Sequence, residues 1–256
     1  MDEQPDLARE LRHALNPVAF AIERLGFYPD AWQARILKST RRRMLMNCTR
    51  QAGKTTVTAI LALHTAIYKP KSLILLFSKA QRQSSELLAK IQAYVATMEA
   101  PPPMAKEAAT ELRLKNGSRI VSLPGDGDTI RGYSAPALII EDEAAFVSDE
   151  LYETFLPMLA TSNGQLILMS TPNGKRGHFY AAWSNRNPNW QRESITAYDI
   201  PRISSEYLEE MRAEFGPWKF KQEFECAFVE AVDQYFADDM IERAFARSPA
   251  VLQLEF

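Results

Sequence analysis

One short segment carries residue types that hold a chain of phosphates. Residues 51–56, QAGKTT, lie between an apolar run and a helical pattern. At such a strand-to-helix turn, backbone N–H groups and the helix N-terminus point towards phosphate oxygens. The Lys54 ammonium would meet the β- and γ-phosphates, and the Thr55 hydroxyl would bind Mg²⁺. Because Cys48 stands where this motif usually has its first glycine, the loop alone does not decide between nucleotide binding and an ordinary turn.

An apolar run that ends in acids is the second motif. Residues 138–143 read LIIEDE. Enzymes that transfer a γ-phosphoryl group hold Mg²⁺ and position the nucleophile with carboxylates of this kind. We assign Asp142 to the metal, through water, and Glu143 to orienting or deprotonating the attacking water. Glu141 occupies a position that is normally apolar, so the register stays open by one residue. Solvated acids at a strand end are the alternative interpretation.

Two further segments give weaker signals. A strand predicted at 165–170 runs into Ser170, Thr171 and Pro172. In motors with a phosphate-binding loop, such a segment lies beside the γ-phosphate and relays its loss, whereas a plain hydroxyl turn is the alternative. Gln33 precedes the loop, and its amide offers a donor and an acceptor that match the adenine N6/N7 edge. A polar position on a surface helix is the alternative for Gln33.

Apolar runs alternate with helical patterns around these motifs, which predicts an α/β fold with a mostly parallel sheet covered by helices on both faces. A hairpin is also expected, because Asn116-Gly117 between alternating runs favours a type I′ turn. The predicted strands are 44–48, 72–78, 111–115, 118–123, 137–140 and 165–170. The predicted helices are 5–25, 54–68, 80–98 and a stretch around 149–160.

The pattern changes beyond residue 190. A strand near 191–196 is followed by helical, aromatic-rich segments at 204–215 and 218–228. We therefore predict two units with a soft boundary. The first is a core at 1–190, and the second, at 191–256, is a small, mainly helical lid or linker subdomain.

Composition narrows the class of protein. Hydrophobic residues make up 46% and charged residues 24%, which is ordinary for a soluble globular chain. The net charge of −2 argues against constitutive tight binding of nucleic acid, but not against a ring that places a few basic side chains around a channel. No apolar run is long enough to cross a bilayer. Cys48 and Cys226 have no CxxC spacing, so a reducing cytoplasm is expected.

The motifs together, in this order, resemble the large-subunit terminase family of tailed bacteriophages. The resemblance covers about 25–230. It rests on a proline-flanked glutamine upstream of the loop, a loop without its first glycine, acids followed by two alanines, a Ser-Thr-Pro segment, an Arg-Gly pair before the acids and a closing QEF segment. In this chain these are Gln33, Arg50 to Thr55, Asp142 to Ala145, Ser170 to Gly174, Ile130 to Gly132, and Gln222 to Phe228.

The resemblance implies a P-loop NTPase fold of the RecA/ASCE type, with ATP as substrate and Mg²⁺ as cofactor. It implies hydrolysis that drives double-stranded viral DNA through the portal into the procapsid. The implied partners are this DNA, the portal protein, the small terminase subunit and further copies of the chain in a ring, with a monomer in solution left open and no membrane. The implied location is the cytoplasm of the infected bacterial host, docked on the procapsid portal.

Two arginines are added to the candidate site. Arg50 lies within the loop, where it could contact the γ-phosphate and swing after hydrolysis; pairing with a nearby carboxylate is the alternative. Arg131 lies in a Gly- and Asp-rich loop, where a guanidinium could act on a neighbouring subunit's ATP as an arginine finger. The alternative partners of Arg131 are its own nucleotide, DNA, Asp126 or Asp128.

The predicted site has four groups of residues. The predicted catalytic residues are Glu143, Arg131, Arg50 and Lys54. The predicted nucleotide-binding residues are Gln33, Arg50, Gln51, Ala52, Gly53, Lys54, Thr55 and Thr56. The predicted metal ligands are Thr55 and Asp142, and the predicted coupling residues are Ser170, Thr171 and Pro172.

Some questions stay open at this point. Lys106, Arg113, Lys115 and Arg119, around the predicted hairpin, are candidates for gripping DNA, but charges that protect a strand edge are an equal alternative. Family members usually continue into a nuclease, and no acidic metal cluster follows residue 230, so we expect no DNA cleavage by this chain. The rival functions are a different RecA-like or helicase-like ATPase and an assembly module that only binds nucleotide. A docking module has no use for Glu143.

Overall fold

The computed structural model describes residues 7–124, 130 and 132–229. Eight strands within this part form a single sheet. They are β1 (Arg43–Cys48), β2 (Leu73–Ser78), β3 (Met104–Ala108), β4 (Glu111–Leu114), β5 (Arg119–Leu123), β6 (Leu138–Asp142), β7 (Gln165–Ser170) and β8 (Trp190–Ile195). The α-helices are α1 (Leu7–Leu15), α2 (Pro17–Leu25), α3 (Ala31–Lys38), α4 (Lys54–Tyr68), α5 (Gln81–Thr97), α6 (Asp149–Phe155), α7 (Gly177–Ser184) and α8 (Ser205–Phe224).

The strand order explains how distant motifs meet. The order is β3-β4-β5-β2-β6-β7-β1-β8, and only the β3–β4 and β4–β5 pairs are antiparallel. The mostly parallel sheet predicted from the sequence is therefore confirmed. Because β6, β7 and β1 are adjacent and parallel, their carboxyl ends lie side by side at one edge of the sheet. The acids, the Ser-Thr-Pro segment and the phosphate-binding loop follow these three ends.

Helices cover both faces of the sheet. Met44 and Met46 of β1 join a buried cluster with Ile60 of α4. Leu45, which points the other way, joins a second buried cluster with Phe155 of α6. This alternation along strands that are buried on both faces is what a parallel sheet between two helical layers requires. The central strands consequently hold their ends in a rigid frame.

The amino-terminal helix departs from the prediction. The single helix predicted over 5–25 is two helices, since Asn16 ends one and caps the next. The Asn16 side chain accepts hydrogen bonds from the N–H groups of Val18 at 3.1 Å and Ala19 at 3.2 Å. Pro17 takes the first helical position, where its missing N–H costs nothing. The Asn-Pro pair was a readable signal for this break.

The hairpin is present, but its turn differs from the prediction. β4 and β5 pair antiparallel, and Gly117 has a φ of +87°. A type I′ turn requires positive φ at both central residues, and Asn116 does not have it. Instead, the Asn116 amide donates to the carbonyls of Ala66 at 2.8 Å and Ile67 at 3.1 Å. The turn is therefore shaped by its contact with the end of α4.

The segment after residue 190 begins inside the sheet. β8 pairs with β1 along its whole length, so the sheet extends to Ile195 and the predicted boundary at 190 falls at the start of this strand. α8 follows and is kinked at Gly216, whose φ is +71°. The division into a core and a lid stays a prediction. None of the helices in the described ranges is long and apolar enough to span a membrane.

Candidate active site

The loop between β1 and α4 has the backbone shape of a phosphate cradle. Gln51 and Gly53 both have positive φ, +58° and +93°. A Cβ on Gly53 would lie 2.7 Å from the amide nitrogen of Gln33, so any side chain at this position would displace Gln33. Ala52 is buried, and α4 begins at Lys54. The loop therefore positions the first N–H groups of α4 so that they point into the space enclosed by the loop.

Lys54 faces two carboxylates at the carboxyl end of β6. Its Nζ lies 2.6 Å from Glu143 Oε1 and 3.7 Å from Asp142 Oδ1. Burial lowers the pKa of Lys54, but the two carboxylates outweigh burial and leave the pKa above its usual value. The side chain is thus an ammonium at neutral pH. An anionic ligand in the loop would compete with Glu143 for this charge.

The two acids at the end of β6 differ in their surroundings. Asp142 is buried, and burial, opposed by Lys54, raises its pKa to about 6. Its Oδ1 accepts a hydrogen bond from the Glu143 N–H at 2.9 Å. Glu143 has a φ of +54°, which ends the strand and turns its carboxylate towards Lys54. The structure brings Asp142 and Glu143 to Lys54, whereas Glu141 points to the other face and contacts His178.

The remaining loop and coupling residues lie around this centre. Thr55 and Thr56 are partly exposed in the first turn of α4. Ser170, Thr171 and Pro172 are buried, and β7 places them between the ends of β6 and β1. The Ser170 hydroxyl has no hydrogen-bond partner within the described part of the chain. A buried hydroxyl without a partner is a place where a ligand or water would be accommodated.

Arg50 is tied to the end of α8. Its Nε lies 2.7 Å from Glu223 Oε2, and the Thr49 hydroxyl donates to the Glu223 carbonyl at 2.8 Å. The Arg50 side chain is 72% exposed, whereas that of Glu223 is 12% exposed. This pairing is the arrangement that the alternative interpretation of Arg50 describes. The sequence analysis included Glu223 in the closing QEF segment but did not pair it with Arg50, because only the fold brings residues so far apart in the chain together.

A cavity of about 420 Å³ lies beside the loop, between Arg50 and Gln51 on one side and α8 on the other. The aromatic side chains of Tyr207, Phe215 and Phe224 line it. The aromatic-rich composition beyond residue 190 was the only sequence signal for this cavity. Its volume and apolar walls suit a flat ring.

Gln33 lies at the loop, but its side chain already has contacts within the protein. It is buried, its Oε1 accepts from the Asp30 N–H at 2.9 Å, and its amide nitrogen packs against Gly53. The bonded oxygen is one of the two groups that the predicted adenine contact needs. Asp30 is itself paired with Arg202, which also lines the cavity, at 3.0 Å. Gln33 therefore connects the start of α3 with the loop, and Asp30 connects the start of α3 with the segment before α8.

Three of the four basic residues that are candidates for gripping DNA form ion pairs with one carboxylate. Glu111 binds Lys106 at 2.9 Å, Arg113 at 2.9 Å and Arg119 at 2.7 Å. Burial raises the pKa of Glu111, but hydrogen bonds from the three cations outweigh this and bring it to about 2. Their position on the β3–β5 side of the sheet agrees with the strand-edge alternative. Lys115 is exposed at the hairpin turn.

Arg131 and residues 125–129 lie outside the described residues. The structure therefore gives no position for the predicted arginine finger. The flanking residues Ile130 and Gly132 are described, and Ile130 is buried in the cluster that contains Phe155.

Curated relatives agree with the motifs. The chain is 21% identical to the large terminase subunit of Thermus virus P23-45, in an alignment that covers 87% of this chain and 53% of that protein. It is 22% identical to the large terminase subunit of Thermus phage G20c, with the same coverage. The chain thus spans about half the length of these relatives.

Solved structures share the fold. The ATPase domain of the Thermus phage P74-26 large terminase superposes with a TM-score of 0.73 at 20% identity, over 84% of this chain and all of that one. The HK97 bacteriophage large terminase gives 0.61 at 18% identity, over 91% of this chain and 51% of that one. These neighbours confirm the expected α/β fold with a mostly parallel sheet.

A family match covers most of the sequence. The sequence model described as terminase large subunit, T4likevirus-type, N-terminal, matches residues 45–243. This range includes the phosphate-binding loop, Asp142, Glu143 and the segment that follows β7. The chain therefore belongs to the family of T4likevirus-type terminase large subunits and corresponds to their N-terminal region.

Proposed function

We propose that this chain hydrolyses ATP as the motor domain of a phage DNA-packaging terminase. The observation that carries the proposal is the Lys54 ammonium held between Asp142 and Glu143 at the end of a parallel sheet. A strand, a glycine loop and a helix N-terminus surround it, which is the architecture that binds nucleotide phosphates. The large terminase of bacteriophage D6E, which shares the fold, is described in complexes with ADP and with ATP-γ-S.

Phosphate binding would redistribute the charges around Lys54. The β- and γ-phosphates replace Glu143 as the partner of the Lys54 ammonium, because they carry more negative charge than one carboxylate. Glu143 is then free to accept a hydrogen bond from water and to remove its proton as the water attacks. The left-handed backbone at Glu143 keeps this carboxylate beside the loop.

Mg²⁺ fits the same place. Asp142 supplies a buried carboxylate, and Thr55 supplies a hydroxyl in the first turn of α4, which are oxygen donors that Mg²⁺ prefers. Burial, only partly offset by Lys54, raises the pKa of Asp142, so a divalent cation beside it would stabilise the charged carboxylate. When bound, the ion neutralises charge on the phosphate oxygens.

The nucleoside would enter the cavity beside Arg50. The base packs on the aromatic side chains of Tyr207, Phe215 and Phe224, where stacking needs no specific polar partner. Gln33 acts by positioning Gly53 and the loop. Ser170, Thr171 and Pro172 keep their proposed role in relaying loss of the γ-phosphate, since they lie between the strands that carry the loop and the acids.

The wider function follows the family. Hydrolysis would move double-stranded DNA through the portal into the procapsid, in the cytoplasm of the infected host, with the portal protein and the small terminase subunit as partners. The chain would act in a ring in which Arg131 reaches a neighbour's ATP. Mixing Arg131→Ala with Glu143→Ala subunits should partly restore hydrolysis, since one intact site then forms across an interface. No recovery in demonstrated mixed assemblies contradicts the finger in trans.

The proposed activity is tested by phosphate release from ATP, with Mg²⁺ and with EDTA. We expect release that requires Mg²⁺, is weak in the isolated chain and rises at concentrations that favour assembly. Tight Mg-ATP binding without any release, in assembled and isolated chains alike, contradicts hydrolysis and favours a docking module.

A further inference from the structure

Glu141 is a buried charge that the proposed reaction does not use. It lies in the centre of the sheet, is 0% exposed, and precedes the two acids of the active site. Its Oε2 lies 2.9 Å from His178 Nε2, and its Oε1 has no partner within the described residues. Alternation along β6 directs Glu141 away from Lys54, to the opposite face of the sheet.

His178 is fixed from three sides. Its Nδ1 lies 3.0 Å from Asp149 Oδ1, and its backbone N–H donates to the same oxygen at 2.7 Å. Its ring stacks on Tyr152 with centroids 4.4 Å apart and an interplanar angle of 12°. Burial lowers the pKa of His178, but Glu141 and Asp149 outweigh it and leave the pKa raised. His178 and Glu141 therefore form a buried, hydrogen-bonded pair.

Stability alone does not account for this pair. A buried ion pair gains little over apolar side chains of similar size, because both charges lose their hydration. The cross-strand neighbours of Glu141 are Phe77 and Leu168, which belong to a buried apolar cluster, so an apolar side chain would pack at this position. The pair is better explained by what it connects.

The pair connects the two segments that flank the proposed γ-phosphate. Glu141 immediately precedes Asp142, and His178 is the second residue of α7, which begins three residues after the segment from Ser170 to Gly174. A second link runs in parallel, since the Asn173 amide donates to the Ala145 carbonyl at 3.2 Å. Residues 141–145 and 173–178 are thus joined at both ends, on the face of the sheet away from the nucleotide.

We propose that Glu141 and His178 are positioning residues that hold the catalytic acids of β6 in register with the coupling segment after β7. This inference rests on the proposed function and deepens it. A change at the coupling segment then moves α7, and His178 transmits the movement to the end of β6 that carries Asp142 and Glu143. Nucleotide binding is unaffected, because Lys54 and the loop belong to the other face.

The first test replaces the pair by apolar side chains, Glu141→Leu together with His178→Leu. Hydrogen exchange of peptides 141–145 and 173–178 should rise in both segments together, while the thermal midpoint stays close to that of the wild type. A rise confined to one segment, or none, overturns the proposal. This readout does not depend on turnover, so a chain that hydrolyses no ATP would refute the proposed function and leave this test intact.

The second test separates binding from chemistry. In the double variant, kcat for ATP should fall about 10- to 100-fold, as expected for misplaced catalytic groups, while KM stays within about twofold. Arg82→Gln with Glu86→Gln, which removes an exposed ion pair on α5, is the control and should leave both constants unchanged. A parallel change in kcat and KM, or no change, contradicts a positioning role.

Conservative variants keep the test decisive if the double variant does not fold. Glu141→Gln retains an oxygen at the position that meets His178 and should keep most of kcat. Glu141→Asp is one methylene shorter and should lose as much as the apolar pair does. Equal kcat values for the Gln and Asp variants overturn the proposal.

Discussion

The acidic residues on the two sides of the sheet at the end of β6 differ in accessibility and in partners. On one face, Asp142 and Glu143 meet a single ammonium, and the cavity beside the loop is open. On the other, Glu141 is enclosed by α6 and α7 and bonded to His178. Glu141 and Asp142 point to opposite faces because successive side chains of a strand alternate. Glu143 joins Asp142 beside Lys54 because its positive φ ends the strand and turns its carboxylate to that side.

This difference in exposure determines which of the two ion pairs a ligand can break. The Lys54–Glu143 contact is partly exposed, with 26% of the Glu143 side chain accessible, so phosphate can replace the carboxylate. The Glu141–His178 pair has no such access, so it can only transmit movement. The following predictions test this contrast, beginning with the largest effect.

Lys54→Ala should reduce ATP hydrolysis by at least about 100-fold, as expected when a group that stabilises developing charge is lost. Nucleotide binding should weaken too, because Lys54 is the cation that contacts both Asp142 and Glu143. Steady-state phosphate release and equilibrium binding measure the two losses. Lys38→Ala, which removes an exposed lysine from α3, is the charge-matched control and should behave as the wild type. Turnover in Lys54→Ala equal to that of the control contradicts the loop assignment.

Asp142→Asn should weaken Mg²⁺-dependent ATP binding about 10- to 100-fold, comparable to the loss of a metal-site group. In the wild type, the pKa of Asp142 near 6 means that protons compete with the metal as the pH falls through 6. Wild-type binding should therefore weaken below this pH and stay strong above it. In Asp142→Asn this component of the pH dependence should vanish. Titrations at pH 5 to 8 measure it, and an unchanged profile in the variant places the metal ligand elsewhere.

Arg50→Ala should reduce hydrolysis roughly tenfold, the size of one charge-assisted hydrogen bond, with a smaller effect on binding. Glu223→Gln should change hydrolysis least, because it frees Arg50 from the carboxylate that holds it at 2.7 Å. Parallel kinetics and binding for both variants separate these outcomes. Equal, small effects of Arg50→Ala on binding and hydrolysis favour a purely structural ion pair with Glu223.

The sequence predicts the elements around the nucleotide well. α4 was expected at 54–68 and spans Lys54–Tyr68, since a glycine loop and an apolar helix follow a buried strand. β6 and β7 were also predicted within two residues, because strands buried on both faces appear as continuous apolar runs. β3 was missed, since an edge strand with exposed polar residues has no such run. α7 was missed as well, and with it the position of His178.

Contacts between segments that are distant in sequence limit how much of the site can be predicted from the sequence. The sequence assigned Lys54, Asp142 and Glu143, which the structure brings together, although their separate roles stay predictions. It left Glu141 open as a possible catalytic acid, because composition cannot show which face of β6 is paired with α7. The Arg50–Glu223 contact joins residues that are 173 positions apart. Such pairings depend on strand order, which no local pattern contains.

The most direct test of the central claim compares Glu143→Gln with Glu141→Gln in one series of binding and turnover measurements. Both variants remove one carboxylate charge within three residues and keep the side-chain shape. Glu143→Gln should bind Mg-ATP as the wild type does but hydrolyse it about 100-fold more slowly or worse, since the base for the attacking water is lost. Glu141→Gln should hydrolyse ATP at a rate close to the wild type. Hydrolysis lost in Glu141→Gln and retained in Glu143→Gln would contradict the assignment of the two faces.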